Sequence, residues 1–166
     1  MFQTGDQVVY GIHGVCNIVG QEVRVVERKR IMYFVLEPLD QPGARFFVPS
    51  DNSVALAKLR HVISAEKLLE LLKSPHIRKN CWILDENKRK LRYRELINGG
   101  SREDLLQMIV TLYQHKQQLQ MTGRKFHLCD ENFLRDAQKL LNGEFSLVLG
   151  IQPNEVAKYI TDALNT

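Results

Sequence analysis

The feature that most limits what this chain can fold into is a change of hydrophobic period near residue 60. Before that point apolar residues alternate or run in short stretches closed by turn residues. Beyond it they recur at spacings of three, four and seven. Gln7-Val8-Val9-Tyr10 is a short apolar run closed by Gly11 and His13-Gly14. Val15–Val26 is rich in Val and Ile and interrupted only by Gly20, where a bend or bulge fits. Residues 31–36 (Ile-Met-Tyr-Phe-Val-Leu) form the clearest strand and end at Pro38; Gln41-Pro42-Gly43 is turn chemistry, and residues 44–48 follow as another strand before Pro49. Four or five strands joined by short turns over about 50 residues predict a small antiparallel barrel.

The second half reads as helices. Ser64 suits the N-cap of a helix over Ala65–Lys73 that stops at Ser74-Pro75. A second helix is predicted over about 85–97, ending at Asn98-Gly99-Gly100. Ser101 caps a third, in which Leu105, Ile109, Leu112 and Leu119 share a face, ending near Thr122-Gly123. Leu128 and Asp130 open a fourth, and Phe133, Ala137, Leu140, Leu141 and Val148 form its apolar face. Pro153 stands at the start of a fifth, over about 154–164. Strands followed by a block of helices predict an α+β chain of two domains rather than alternating α/β units. The expected division is a β-barrel domain over 1–58 and an all-α bundle of about five helices over 62–166.

Charge is distributed unevenly. Residues 1–63 carry a net +1, 64–75 balance, 76–100 carry +4, 101–127 carry +2 and 128–166 carry −3, within a chain of formal charge +4. A basic middle with an acidic tail predicts a polyanion partner for one surface only. No apolar run approaches the roughly 18–20 residues that span a bilayer. The first residues lack the basic and apolar regions of a secretory signal. A cytoplasmic protein with no membrane partner is expected. Cys16, Cys81 and Cys129 form no Cys-x-x-Cys pair and are expected to be reduced, buried thiols.

Catalytic or metal-binding sets are not evident. The five histidines fall in different elements without metal-ligand spacing, and no nucleophile elbow, P-loop or dinucleotide cradle occurs. Asp130-Glu131 stands at a helix start, where a cap and a dipole partner are the expected roles. The expectation is a non-enzyme with no cofactor, metal or small-molecule substrate.

The sharpest local feature is Lys88-Arg89-Lys90-Leu91-Arg92-Tyr93-Arg94. At 100° per residue Lys88 and Arg92 share one flank of a helix and Lys90 and Arg94 the other, with Tyr93, Leu96 and Ile97 between them. Cations on two flanks suit a phosphate backbone, where each neutralised phosphate releases counterions. A solvated face with local ion pairs to Glu86 and Glu95 is the competing reading. Trp82, the only tryptophan, precedes this segment. It is either a wedge against DNA bases or a core residue, and extending the helix backwards would set it on the face of Tyr93. Of Phe46 and Phe47, adjacent on a strand, one must point outward.

These residues resemble the CarD/CdnL regulators of bacterial transcription, related at their N-terminus to the polymerase-binding module of transcription-repair coupling factors. The resemblance rests on Phe2-x-x-Gly5-Asp6-x-Val8-Val9-Tyr10-x-x-His13-Gly14, Tyr33-Phe34-Val35-Leu36 and Phe47-Val48-Pro49. It continues through Leu96-Ile97-x-Gly99, Asp130-Glu131 and Ala137-x-x-Leu140-Leu141-x-x-Glu144. It implies a Tudor-like N-terminal barrel that binds the β subunit of RNA polymerase. It also implies a helical domain on promoter DNA at the upstream edge of the transcription bubble, modulating open-complex stability. Arg24 then matches a polymerase-contacting arginine, with Val26, Phe47 and Pro49 completing that surface. Lys88 and Lys90 match basic positions on a DNA-facing helix, and Arg89, Arg92 and Trp82 join them as expected DNA contacts. The chain departs from the family pattern twice. Phe47 stands where many members carry a basic residue, and Asp85 stands in the slot of a DNA-wedging tryptophan, three residues beyond Trp82. The rival readings are a protein-interaction adaptor without a DNA role and a Tudor-like RNA-binding protein.

Overall fold

The structure, a computed structural model, describes residues 1–165. The chain divides into two compact units, Met1–Val62 and Ile63–Thr166, and each is described by itself.

The first unit is a five-stranded antiparallel sheet: β1 (Gln7–Tyr10), β2 (Val15–Val26), β3 (Lys29–Pro38), β4 (Phe46–Pro49) and β5 (Leu59–His61), in the order β4-β3-β2-β1-β5. Val8, Cys16, Ile18, Phe34, Leu36, Val48 and Leu59 form its core. Val48 lies on one edge strand and Leu59 on the other, so the sheet curls until both edges meet one interior. The curl has a local cause: the β2–β3 register shifts between Ile18 and Gly20, leaving Val19 unpaired. A bulge of this kind bends and over-twists its strand. Cys16 is fully buried there, and its thiol is raised to about 11, chiefly by that burial.

Two elements of this unit were not expected from the sequence. The single turn α1 (Ser53–Leu56) is capped by Asn52, whose side chain accepts from the backbone N–H of Val54 and Ala55. Strand β5 then pairs with β1 through Val9 and Arg60. Both are too short to display a period, so they read as linker.

The second unit is all-helical: α2 (Ala65–Lys73), α3 (Glu86–Gly99), α4 (Arg102–Met121), α5 (Leu128–Leu149) and α6 (Val156–Leu164). Side chains of Ser64, Asp85 and Ser101 cap α2, α3 and α4 by accepting from the N–H three residues on, as N-cap oxygens do. Helix α5 differs. Its N-cap is His127, with no side-chain cap bond; the expected capping role of Asp130 is not realised, because that carboxylate is bound elsewhere. The core joins Leu68 and Leu72 of α2, Tyr93 and Leu96 of α3, Leu105–Leu112 positions of α4, Phe133 to Phe145 on α5, and Val156 and Ile160 of α6. Tyr93 meets Phe133 edge-to-face with centroids 5.7 Å apart. The architecture is thus α+β in two domains, a β unit followed by five helices. No helix among the described residues is long and apolar enough to cross a membrane.

Candidate interaction surfaces

In an antiparallel pair, residues directly opposite one another lie on the same face. The register therefore assigns faces across β2, β3 and β4. Glu22 opposes Tyr33, which opposes Pro49; Arg24 opposes Ile31; Val26 opposes Lys29; Val35 opposes Phe47. Stepping in twos, Arg24, Val26, Phe47 and Pro49 all fall on one face. It is the face opposite Phe34, Leu36 and Val48, which line the core. Phe46 turns inward and Phe47 outward, 36% exposed.

The Arg24 guanidinium lies 4.0 Å from the centroid of the Phe47 ring, with Glu22 3.4 Å from its Nη2. A guanidinium over an aromatic face is held electrostatically while its edge stays free to donate. Phe47 thus positions the arginine at the place where a basic residue was expected. The neighbouring strand β4 is a sheet edge, and its unpaired backbone groups can accept an added strand.

In the helical unit the basic segment is split between surface and interior. Residues 89, 93 and 96 form the inward stripe of α3: Arg89, Tyr93 and Leu96 are all buried. Arg89 donates from Nε to Asp130 Oδ1 at 2.9 Å and from Nη2 to Asp130 Oδ2 at 3.2 Å, and its Nη1 donates to the carbonyl of Ile83 at 2.9 Å. Both partners of this bidentate pair are almost sealed from solvent, with side chains 6% and 3% exposed. The expectation that Arg89 contacts DNA is therefore corrected: its donors are spent inside the bundle.

Trp82 is corrected for a related reason. It lies in the segment before α3, not on the helix. His115 stacks on the indole with centroids 3.7 Å apart and planes 18° apart, and the Arg89 guanidinium lies 4.3 Å over the ring. Two groups that close cannot share one side, so both faces of the indole are covered and none is left to stack on a base. Burial lowers the His115 imidazole below its ordinary value, which keeps it uncharged beside the arginine at neutral pH.

The outward cations remain. Lys90 pairs with Glu86 at 3.2 Å and Arg92 with Glu95 at 3.8 Å, whereas Lys88 and Arg94 carry no ion pair among the described residues. The segment 122–127 between α4 and α5 adds exposed Arg124 and Lys125. It lies beside the start of α3: the Glu86 carboxyl is held low first by its hydrogen bond to Lys90 and also by His127. These two cations were visible in the sequence only as the +2 of residues 101–127. Leu84, 88% exposed just before α3, is a further outward group that sequence reading missed. Its carbonyl lies 3.5 Å from Arg89 Nη1, so the buried arginine fixes the turn that displays it.

Among the described residues no three His, Cys, Asp or Glu side chains group as metal ligands. A cleft of about 630 Å³ between α4, α5 and α6 has an apolar floor of Ile109, Leu141 and Ile160 and a rim of Gln114, Gln138 and Asn142.

Comparison with known proteins bears on the first unit. Residues 2–63 match the CarD-like/TRCF RID domain. No curated protein matches the chain. The matched family is a protein-interaction domain of transcription factors and not a known class of enzyme, and it fits an RNA-polymerase-interacting role. The matched span covers all five strands, with the outward face of Arg24 and Phe47 among them. The N-terminal domain of this chain belongs to the CarD-like/TRCF RID family.

Proposed function

We propose that the chain is a regulator of bacterial transcription in which the β unit holds the RNA polymerase β subunit and the helical unit holds promoter DNA. The observation that carries this reading is the convergence of Arg24, Val26, Phe47 and Pro49 on one outward face, beside a free edge strand, in a domain of a polymerase-interacting family. The strand edge supplies sequence-independent hydrogen bonds, and the arginine over Phe47 supplies orientation.

The DNA contacts are Lys88, Arg92 and Arg94 on α3, with Lys90 at their margin and Arg124 and Lys125 beside them. Their role is to position the duplex through phosphates rather than to read bases. Leu84, not Trp82, is the apolar side chain available to press against a distorted minor groove. Holding polymerase and promoter at once raises the effective concentration of each for the other. Open-complex stability changes only if the open form is bound better than the closed one. The protein is expected to act in the cytoplasm, on the nucleoid through polymerase.

One observation favours a second reading, an adaptor without a DNA role: Glu86 and Glu95 already compensate Lys90 and Arg92. Retention of polymerase on the immobilised full-length chain separates the two. Arg24→Glu is expected to reduce retention of the β subunit by tenfold or more, roughly the 1.4 kcal/mol or greater that a lost charged contact costs. Lys88→Glu with Arg94→Glu should leave retention of polymerase unchanged while abolishing retention of promoter DNA. Undiminished polymerase retention by the Arg24 variant would remove the proposed docking face. Undiminished promoter retention by the helix variant would favour the adaptor.

A further inference from the structure

A second concentration of positive charge without ion pairs among the described residues lies away from the basic helix, at the tip of the β2–β3 hairpin. Residues 21–30 are all exposed. Pairing of β4 with β3 ends at Tyr33, so the four cross-strand pairs Val23–Met32, Arg24–Ile31, Val25–Arg30 and Val26–Lys29 continue past β4 as a two-stranded arm. Its turn is Glu27-Arg28, with φ of 50° and 67°. Two consecutive left-handed residues make the tight, twist-matched hairpin turn that normally calls for Asn-Gly. Bulky residues there are uncommon, and such conformations cluster at functional positions.

Three successive cations, Arg28, Lys29 and Arg30, occupy this tip without an ion pair among the described residues; only Glu27 offsets them locally. On α3, by contrast, one cation is buried and two are paired. The tip cations also point in different directions. Lys29 shares the face of Arg24 and Val26, Arg30 shares the opposite face with Val25, and Arg28 stands at the apex. A flat acidic protein surface would be met by cations gathered on one face. Cations on both faces of a narrow ribbon match a slot with negative walls on either side.

We propose that the tip of the β2–β3 arm enters a groove of duplex DNA, with Lys29 and Arg30 on the phosphates of opposite walls and Arg28 leading. The major groove, about 12 Å wide, admits a two-stranded ribbon. The proposal goes beyond the reading above, which places DNA on the helical unit alone. It is geometrically compatible with polymerase docking at Arg24 and Phe47, because three residues of strand carry the apex roughly 10 Å past Arg24.

The test uses the full-length chain, a fluorescein-labelled duplex and no polymerase, reading anisotropy across a salt series. The variant is Arg28→Ala with Lys29→Ala and Arg30→Ala. All three side chains are solvent-exposed, and an unchanged circular dichroism melt certifies the fold. Loss of two or three phosphate contacts should flatten the slope of log K against log salt by about 2–3 and weaken binding at 0.1 M salt at least tenfold. An unchanged slope and affinity would overturn the proposal. So would loss of polymerase retention with an unchanged salt slope, which would assign the tip to an acidic protein surface.

Discussion

Replacing Asp130 by alanine is expected to lower the unfolding free energy of the helical unit by about 3–5 kcal/mol, the usual cost of stranding one member of a buried ion pair. Arg89 cannot escape. Its Cα lies on the inward stripe of α3 with Tyr93 and Leu96, its guanidinium lies over Trp82, and its side chain is only 6% exposed. Without the carboxylate, two donors face an apolar interior. A domain stable by only 5–15 kcal/mol would lose a large share of its margin. Trp82 is the only tryptophan, so intrinsic fluorescence in a urea titration follows this unit and this site together. The double variant Arg89→Met with Asp130→Leu should recover most of the loss, because a buried pair contributes little net stability over apolar residues of similar volume. A single variant within 1 kcal/mol of wild type would show that water reaches the arginine.

The second large effect belongs to Glu144. Its carboxylate, 2% exposed, accepts from Arg102 Nε and Nη2 at 2.6 Å each and from the Ile63 backbone N–H at 3.0 Å. One side chain of α5 therefore fixes both the first residue of this unit and the start of α4. Glu144→Ala should cost about 3 kcal/mol, less than Asp130→Ala because Arg102 retains some access to water. Glu144→Gln keeps an acceptor for the Ile63 N–H and should recover part of the loss. The same titration checks both, and equal losses for Ala and Gln would mean that the charge alone matters.

These two pairs also mark where the sequence is legible. The change of period, the caps at Ser64 and Ser101, and the bulge near Gly20 rest on local chemistry, and local chemistry is written in adjacent residues. The partners of Arg89 and Arg102 lie 41 and 42 residues away, a distance that no window covers. Period alone already set Arg89 four residues before Tyr93, on the inward stripe. Counting charge along Lys88–Arg94 obscured this, because a count treats every cation as outward. Of the two readings of Trp82, the packing favours the core one, although both groups that cover its ring come from other elements and were not legible locally. The arm was hidden for the opposite reason. A Val-rich strand reads as core, yet Val23 and Val25 are 54% and 68% exposed because β1 and β4, the strands on either side of the β2–β3 pair, both stop short of the arm.

The central claim is that one chain couples polymerase to promoter DNA through two separate units. The most direct measurement is the lifetime of competitor-challenged open complexes formed by polymerase alone, with the wild-type chain, and with the Arg24→Glu and Lys88→Glu/Arg94→Glu variants. A several-fold change in lifetime with the wild-type chain, lost in both variants, is the predicted result. A lifetime that the wild-type chain leaves unaltered, or one that either variant changes as fully as wild type, would contradict it.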